Sequence, residues 1–291
     1  MISVIIPTYN RVNALRRALH ALDNQTEEGG PFEAIVIDDG STDGTATYLQ
    51  GAARAVAFSY PLRHIRQEHK GPAAARNLGL GTAAGGTVLF LNDDCLAAPD
   101  LLAQHRKYRR EFGECAVLGH IHWSPEIFLA PEVRDLVKEF YFPYYQIQDH
   151  ENVSFAFFIT GNLSVPLQKV REAGGFDEYF SEAAFEDIDL GYRLQRLGVR
   201  MRYNPEAVAF HFHDLDFDSL CDRQEKIAYW LYAFLAKHPE AEPFYAGIKE
   251  FAQEFPLKKA HCLRVILSYL GHRGLKACKT DLMNEKEEVR S

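Results

Sequence analysis

The feature that most constrains the fold of this chain is a rhythm. Short apolar runs, each about the length of one buried strand, alternate with stretches whose apolar residues recur every three or four positions. "SVIIP" (3–7) precedes "RVNALRRALHAL" (11–22), in which Val12, Leu15, Leu19 and Leu22 share one helical face. "EAIVIDDG" (33–40) precedes "STDGTATYLQ", a helix opened by Ser, Thr and Asp. "LRHIRQ" (62–67) precedes "PAAARNLGLGTAA" (72–84), with Pro72 in the first turn, and "TVLFLNDD" (87–94) precedes "PDLLAQHRKYRREF" (99–112). Strand–helix–strand repeats of this kind predict βαβ units and a mostly parallel, Rossmann-like α/β sheet with helices on both faces. Ligands of such sheets gather at the carboxyl ends of the strands. Three of those ends are polar or acidic here: "PTYN" after the first strand, Asp38–Asp39 after the second, and Asp93–Asp94 after the fourth. They are expected to meet on one edge.

The second half is less regular. "TGNLSVP" (160–166) reads as a short strand, "GGFDEYF" (174–180) as a loop, and "EDIDLGYRLQRLG" (186–198) as a helix that opens on acids and closes on Gly198. "VRMRYNPEAVAFHFHD" (199–214) reads as two strands divided at Asn204–Pro205, and the pattern from about residue 217 is helical to the end. The expected organisation is a catalytic domain over 1–214 (a nucleotide-binding half, 1–95, and an acceptor half, 96–214) followed by a helical region, 215–291. "GLGTAAGG" (79–86) imitates a dinucleotide-binding loop but lies after a helix and before a strand, the reverse of the order that fingerprint requires.

Composition excludes several classes. A net charge of -8 over 291 residues argues against general nucleic-acid binding, which needs a basic surface. The apolar runs are shorter than the roughly 20 residues of a membrane-spanning helix, and Met1 leads straight into the first strand without a signal-peptide pattern. Cys95, Cys115, Cys221, Cys262 and Cys278 are scattered, which suits reduced thiols and a cytoplasmic location. The sequons at Asn24, Asn152 and Asn162 are then chance matches. The segment 255–279 alternates Lys258, Lys259, Arg264, Arg273, Lys276 and Lys279 with Leu257, Leu263, Ile266, Leu267 and Leu270. It suits either a helix resting on anionic lipid at the inner membrane face, or a helix packed on the catalytic domain with a solvated basic side.

Adjacent carboxylates at a strand end repel one another. Asp93–Asp94 is therefore either a solvated turn that caps the helix beginning at Pro99–Asp100, or half of a site for a hard divalent cation, Mg²⁺ or Mn²⁺, shared with a substrate phosphate. His211 and His213 alternate onto one strand face and are candidates to complete such a site; each is equally a structural histidine. Glu186, Asp187 and Asp189 either decorate a helix N-terminus or supply a general base.

"SVIIPTYNR", "VIDDGSTDGT", "GPAAARNLGL", "FLNDDC", "GGFDEYF" and "FEDIDLGYRLQRLG" occur in this order over residues 1–213, and together they resemble the family 2 glycosyltransferases. The resemblance implies a GT-A fold and an inverting, metal-dependent transfer of a sugar from a nucleotide diphosphate to an acceptor hydroxyl. The expected donor is a UDP-sugar and the expected acceptor a polysaccharide precursor or lipid-linked saccharide. It places Pro7, Thr8, Tyr9, Asn10, Arg11 and Asp39 at the nucleotide and Arg76 at the diphosphate. Asn92 and Asp93 fall at the donor ribose or sugar, and Asp94 with His211 or His213 at the metal. Asp187 becomes the base, with Glu186 its alternate. Gly161 and Asn162 fall on the acceptor side, where Trp123 and Phe176 could stack on a sugar ring. Asn92 departs from the family's Asp at that position and removes one negative charge. A sugar nucleotidyltransferase is the weaker alternative, since no glycine-rich basic loop follows the first strand. A catalytically silent sugar-nucleotide-binding protein is the other.

Overall fold

The computed structural model describes residues 1–129, 133–134, 137 and 141–241. The expected alternation is present. Strands β1 (Ile2–Thr8), β2 (Phe32–Asp38), β3 (Leu62–Arg66) and β4 (Thr87–Leu91) are separated by helices α1 (Val12–Asp23), α2 (Thr45–Ala55) and α3 (Pro72–Thr82). β5 (Cys95–Ala97), α4 (Leu101–Phe112), β6 (Ala116–Trp123), β7 (Asn162–Pro166), α5 (Leu167–Glu172), α6 (Glu186–Arg196) and β8 (Met201–His211) follow. All eight strands join one sheet in the order β3-β2-β1-β4-β7-β6-β8-β5. β1, β2, β3 and β4 pair in parallel, whereas β7 runs antiparallel to both β4 and β6, and β5 antiparallel to β8.

The central strands read as unbroken apolar runs because both of their faces are covered. Val4, Ile5, Ile6, Ala34, Ile35, Val36, Ile37, Val88, Leu89, Phe90 and Leu91 have no exposed surface, and α1 lays Leu15, Ala18, Leu19 and Leu22 against them. Each Val, Leu, Ile or Phe side chain among them contributes roughly 1.5–3 kcal/mol on burial. After β1 the chain builds outward through β2 and β3, then returns to place β4 on the other side of β1. At such a reversal ligands gather beyond the carboxyl ends of the flanking strands, here β1 and β4, where Thr8 and residues 92–94 follow.

Two strands escape the sequence pattern. β5 has three residues, too few to show a period, and β6 carries Gly119 and two histidines inside its apolar run. Together they fix where β8 ends, since His211 pairs with Cys95 on one side and with Trp123 on the other. The segment expected as two strands is a single strand, β8. The ladder passes from Gly119–Asn204 to His120–Val208, so residues 205–207 bulge out without ending it. Pro205, which lacks an N–H, is accommodated in that bulge.

A buried polar network sits between α4 and the antiparallel strands. Asn162 donates to the carbonyls of His120 (3.1 Å) and Ala207 (2.8 Å), and its carboxamide oxygen lies 2.9 Å from Nε2 of His105. Nδ1 of His105 is 2.9 Å from the Ser164 hydroxyl. A carboxamide oxygen only accepts, so Nε2 carries the proton and the neutral ring accepts from Ser164. Gly119 is required opposite, because a Cβ there would come within 2.2 Å of the Asn162 amide nitrogen.

The chain divides into two compact units at Asp214/Leu215. The described part of the second is a helix, α7 (Phe217–Lys237), whose first turn is capped by Asp216 accepting from the Ser219 amide. The basic segment 255–279 lies outside the described residues. Among those described, no helix is long and apolar enough to cross a membrane.

The His105 network makes stability depend on pH. Burial pushes this ring down from 6.5 to about 4, against the pull of its bond to Asn162. The unfolded chain therefore takes up a proton first, and stability falls as pH drops from the unfolded value toward the folded one. The loss attributable to His105 amounts to roughly 2 kcal/mol by about pH 5. Urea unfolding at neutral and at mildly acid pH checks this: a His105→Gln chain should show a drop smaller by that amount, and an equal drop in both chains would refute the assignment.

Candidate active site

At the end of β4, Asp93 and Asp94 turn into the sheet edge rather than into solvent, with residue exposures of 5% and 3%. Asp93 accepts from the Thr8 hydroxyl at 2.7 Å. The cation between the two carboxylates is Arg11, which leads into α1: its Nη1 donates to Oδ2 of Asp94 and lies 3.5 Å from Oδ1 of Asp93. From the far side of the sheet, His211 places Nε2 3.4 Å from Oδ1 of Asp94, and His213 places Nδ1 3.8 Å from Oδ2. Burial and then the neighbouring Asp94 push the Asp93 carboxyl up to about 7. Burial also opposes ionisation of Asp94, but His211, Arg11 and His213 outweigh it and hold that carboxyl well below the usual range. The pair thus keeps its negative charge on Asp94.

The surroundings of Asp94 fit a divalent ion. One ligand atom each from Asp94, Cys95 and His211 lies within 4.8 Å of the others, and Nδ1 of His211 is buried without a hydrogen-bond partner. Burial, then Asp94 and Asp93, push the Cys95 thiol well above its ordinary value while no ion is bound. Asp94 offers a carboxylate oxygen, a donor that suits Mn²⁺ or Mg²⁺, and His211 an imidazole nitrogen, a donor that favours a transition ion such as Mn²⁺ over Mg²⁺. The Trp123 and Tyr141 rings pack against His211, with centroids 4.6 and 5.4 Å away.

A second acid pair opens α6. Phe185 adopts a left-handed backbone (φ 69°), an uncommon conformation for a bulky residue, immediately before Glu186 and Asp187. Glu186 is buried and accepts from Nη1 of Arg76 at 2.8 Å, while Nη2 of Arg76 lies 3.3 Å from the Asn92 carboxamide oxygen. Burial and then Asp187 push the Glu186 carboxyl up to about 7, with Arg76 opposing. Asp187 is only partly buried; its Oδ2 accepts from the Thr160 amide (3.4 Å) and its Oδ1 from the Ile188 amide (2.8 Å). Asn92 therefore joins the two acid groups: its side chain meets Arg76, its amide donates to the Gly161 carbonyl, and the backbone continues into Asp93–Asp94.

The other expected residues fall in three places. Pro7 and Thr8 end β1, and Asn10, at φ 53°, accepts from the Thr42 amide and donates its own amide to the Ser41 hydroxyl. Tyr9 is half exposed and stacks on His69, with centroids 4.0 Å apart and planes 18° from parallel. Asp39 is buried and holds the loop 67–71, accepting from the Gln67 side chain and the Lys70 and Gly71 amides, with His69 Nδ1 2.8 Å away. Gly71 there has φ 89°, and a Cβ on it would meet the Ser181 carbonyl at 2.1 Å.

Gly161 lies beside Asn92, but Asn162 does not line an acceptor site: its side chain is wholly buried in the His105 network. Phe176 likewise is core, edge-on to Phe90 at 5.1 Å and beneath the Arg76 guanidinium. Trp123 does reach the site, next to His211. Arg76, expected at a diphosphate, is instead a buried clamp between Glu186 and Asn92. Tyr141 and His69 join the site without a sequence signal, because each sits on a loop with no periodicity, and Thr160, expected to open a strand, lies in the turn before β7.

The profile of the family described as "Glycosyl transferase family 2" matches residues 3–168, and that of "Glycosyl transferase family group 2" matches residues 88–270. The chain is 31% identical over 279 residues to the validoxylamine A glucosyltransferase of Streptomyces hygroscopicus subsp. jinggangensis, an alignment covering 84% of this chain and 62% of that protein. It therefore spans less than two thirds of that relative's length. In fold it is similar to the mannosyltransferase PcManGT from Pyrobaculum calidifontis in complex with GDP-Man and Mn²⁺, with a TM-score of 0.64 at 19% identity over 99% of this chain and 79% of the other. The Staphylococcus aureus TarS 1–349 structure in complex with UDP aligns over 92% of this chain and 70% of its own, with a TM-score of 0.57 at 18% identity.

The Arg76–Glu186 pair sets a stability prediction. Both side chains are 4% exposed, so Arg76→Met strands a buried carboxylate and should cost about 3–5 kcal/mol in urea unfolding, whereas the double change Arg76→Met with Glu186→Leu should regain most of that loss. A single Arg76→Met change that costs under about 1 kcal/mol would mean the pair is not held as described.

Proposed function

We propose that this chain, which belongs to glycosyl transferase family 2, is an inverting, metal-dependent glycosyltransferase that uses a nucleotide diphosphate sugar. The observation that carries the reading is the meeting of two acid groups of different character on one strand-end edge. Asp94 is a charged carboxylate beside an imidazole, and Asp187 is a partly exposed carboxylate at a helix start. Asn92 and Arg76 couple the two.

Asp94 and His211 would hold the divalent ion, which when bound supplies positive charge to a diphosphate leaving group. His213 stands behind them. Asp93, carrying less negative charge and held by Thr8, is placed to accept from a hydroxyl of the donor ribose or sugar. The Tyr9–His69 stack offers an exposed ring face to a planar base at the end of β1, and Asp39 keeps the loop that carries His69 in position. We infer a UDP-sugar as donor; the UDP complex of the TarS neighbour supports that choice, and the GDP-Man complex of PcManGT supports a nucleotide sugar of either base. Asn92 in place of Asp leaves this scheme intact, since its carboxamide is committed to Arg76 rather than to the cation.

Asp187 acts as the base. Its carboxylate takes the proton of an acceptor hydroxyl, the oxygen bonds to the anomeric carbon, and the bond from that carbon to the diphosphate oxygen breaks on the opposite face. The proton passes from the acceptor oxygen to Asp187, one bond forms and one breaks at the anomeric carbon, and the configuration there inverts. Glu186, locked by Arg76, positions Asp187 rather than reacting. The Thr160 amide bonds Oδ2 of Asp187, which supports reading the acceptor on the side of the Gly161 segment.

Two variants separate the roles. Asp187→Asn should lower transfer by about two to four orders of magnitude, while UDP affinity measured by calorimetry with Mn²⁺ stays near that of the unaltered chain. Asp94→Asn should instead abolish Mn²⁺-dependent UDP binding. A panel of nucleotide sugars screened for Mn²⁺-dependent release of nucleotide identifies the donor. Turnover retained by Asp187→Asn would remove Asp187 from the base role, and nucleotide binding indifferent to Mn²⁺ in the unaltered chain would favour a silent binding protein.

A further inference from the structure

Arg11 occupies the place that a divalent ion would take electrostatically. Its guanidinium contacts both Asp93 and Asp94, buried carboxylates whose other donors are few: the Thr8 hydroxyl on Asp93, and the Cys95 thiol and two imidazoles, at 3.4 Å or more, around Asp94. The Arg11 side chain is itself 43% exposed and springs from the N-cap of α1 in a non-helical backbone conformation. Its backbone carbonyl starts the helix by accepting from the Leu15 amide, so the side chain is free to leave without unwinding α1. An ion on Oδ1 of Asp94 beside His211 would sit one carboxylate away from the guanidinium on Oδ2, two like charges in a water-poor corner.

We propose that Arg11 is a resident counter-cation: it neutralises Asp93–Asp94 when no ion is bound, competes with the divalent ion, and swings outward when the ion arrives. This rests on the reading above that Asp94 and His211 hold the ion. The consequence is a coupling between metal and nucleotide. Once displaced, the guanidinium stays tethered at the mouth of the site, where the phosphates of a nucleoside diphosphate carried in with the ion give it a new anionic partner. Metal alone must evict Arg11 and gain nothing from it; metal with nucleotide evicts it and re-pairs it. The site therefore favours the arrival of the complete metal–nucleotide unit over the bare ion.

The test is a Mn²⁺ titration of the full chain followed by electron paramagnetic resonance, with and without UDP, for the unaltered protein, Arg11→Gln, Arg11→Lys and Asp94→Asn. Arg11→Gln should bind bare Mn²⁺ about tenfold more tightly, the order of one charge-assisted hydrogen bond. The enhancement of Mn²⁺ affinity by UDP should shrink by a similar factor, and Arg11→Lys, which keeps a competing charge, should stay close to the unaltered chain. Melting temperatures with chelator and with Mn²⁺ guard against misfolding: Arg11→Gln should melt lower in chelator and gain more from Mn²⁺ than the unaltered chain does. If Arg11→Gln binds bare Mn²⁺ no more tightly while Asp94→Asn abolishes binding, the competition is wrong and the metal site stands. If no chain binds Mn²⁺ with or without UDP, the metal reading itself fails and the competition falls with it.

Discussion

Two carboxylates side by side, buried at the end of a central strand, cannot both stay charged without a cation. Asp93 and Asp94 are in that position because β4 ends where it does in the sheet, and much of the surrounding structure answers to them. Thr8 at the end of β1 hydrogen-bonds one and Arg11 bridges both. β5 and β8 bring His211 beside the other. The negative charge settles on Asp94 because the histidines and Arg11 crowd that side, which leaves Asp93 able to exchange a proton near neutrality. The site is thus an electrostatic arrangement before it is a chemical one, and the order of strands at the β1/β4 switch produces it.

The second acid pair is built differently. Glu186 is held by a buried arginine and by a helix that begins after a left-handed phenylalanine, so its neighbour Asp187 projects from a rigid base. Arg76 also reaches Asn92, so a few hydrogen bonds connect the two acid groups. Phe185 enters this helix start with φ 69°, a conformation uncommon for a bulky residue.

How much of this was legible in the sequence follows from where the information lies. The βαβ half was legible because "SVIIP", "EAIVID" and "TVLFL" are continuous apolar runs separated by clear helical periods, and the acids at their ends inherit positions from the topology. The order of six motifs indicated the family. β5 was not legible, because three residues carry no period, and neither was the continuity of β8 through Pro205, because a bulge reads in sequence as a break. Asn162 is expected on the acceptor side only because the resemblance puts "TGNLSV" there, and the approach of Gly119, His120 and Ala207 makes it a bracket for the core. Arg76 is expected at the diphosphate, yet it lies on the buried face of α3 and pairs with Glu186.

The proposed activity depends on His211 and Asp94 sharing one divalent ion. Pulsed electron paramagnetic resonance of the Mn²⁺–UDP complex, using electron spin echo modulation, tests this most directly. It should reveal nitrogen coupling from a directly bound imidazole together with phosphorus coupling from the nucleotide, and the nitrogen signal should vanish in a His211→Gln chain. Phosphorus coupling with no directly bound nitrogen, or a nitrogen signal that persists without His211, would contradict the claim.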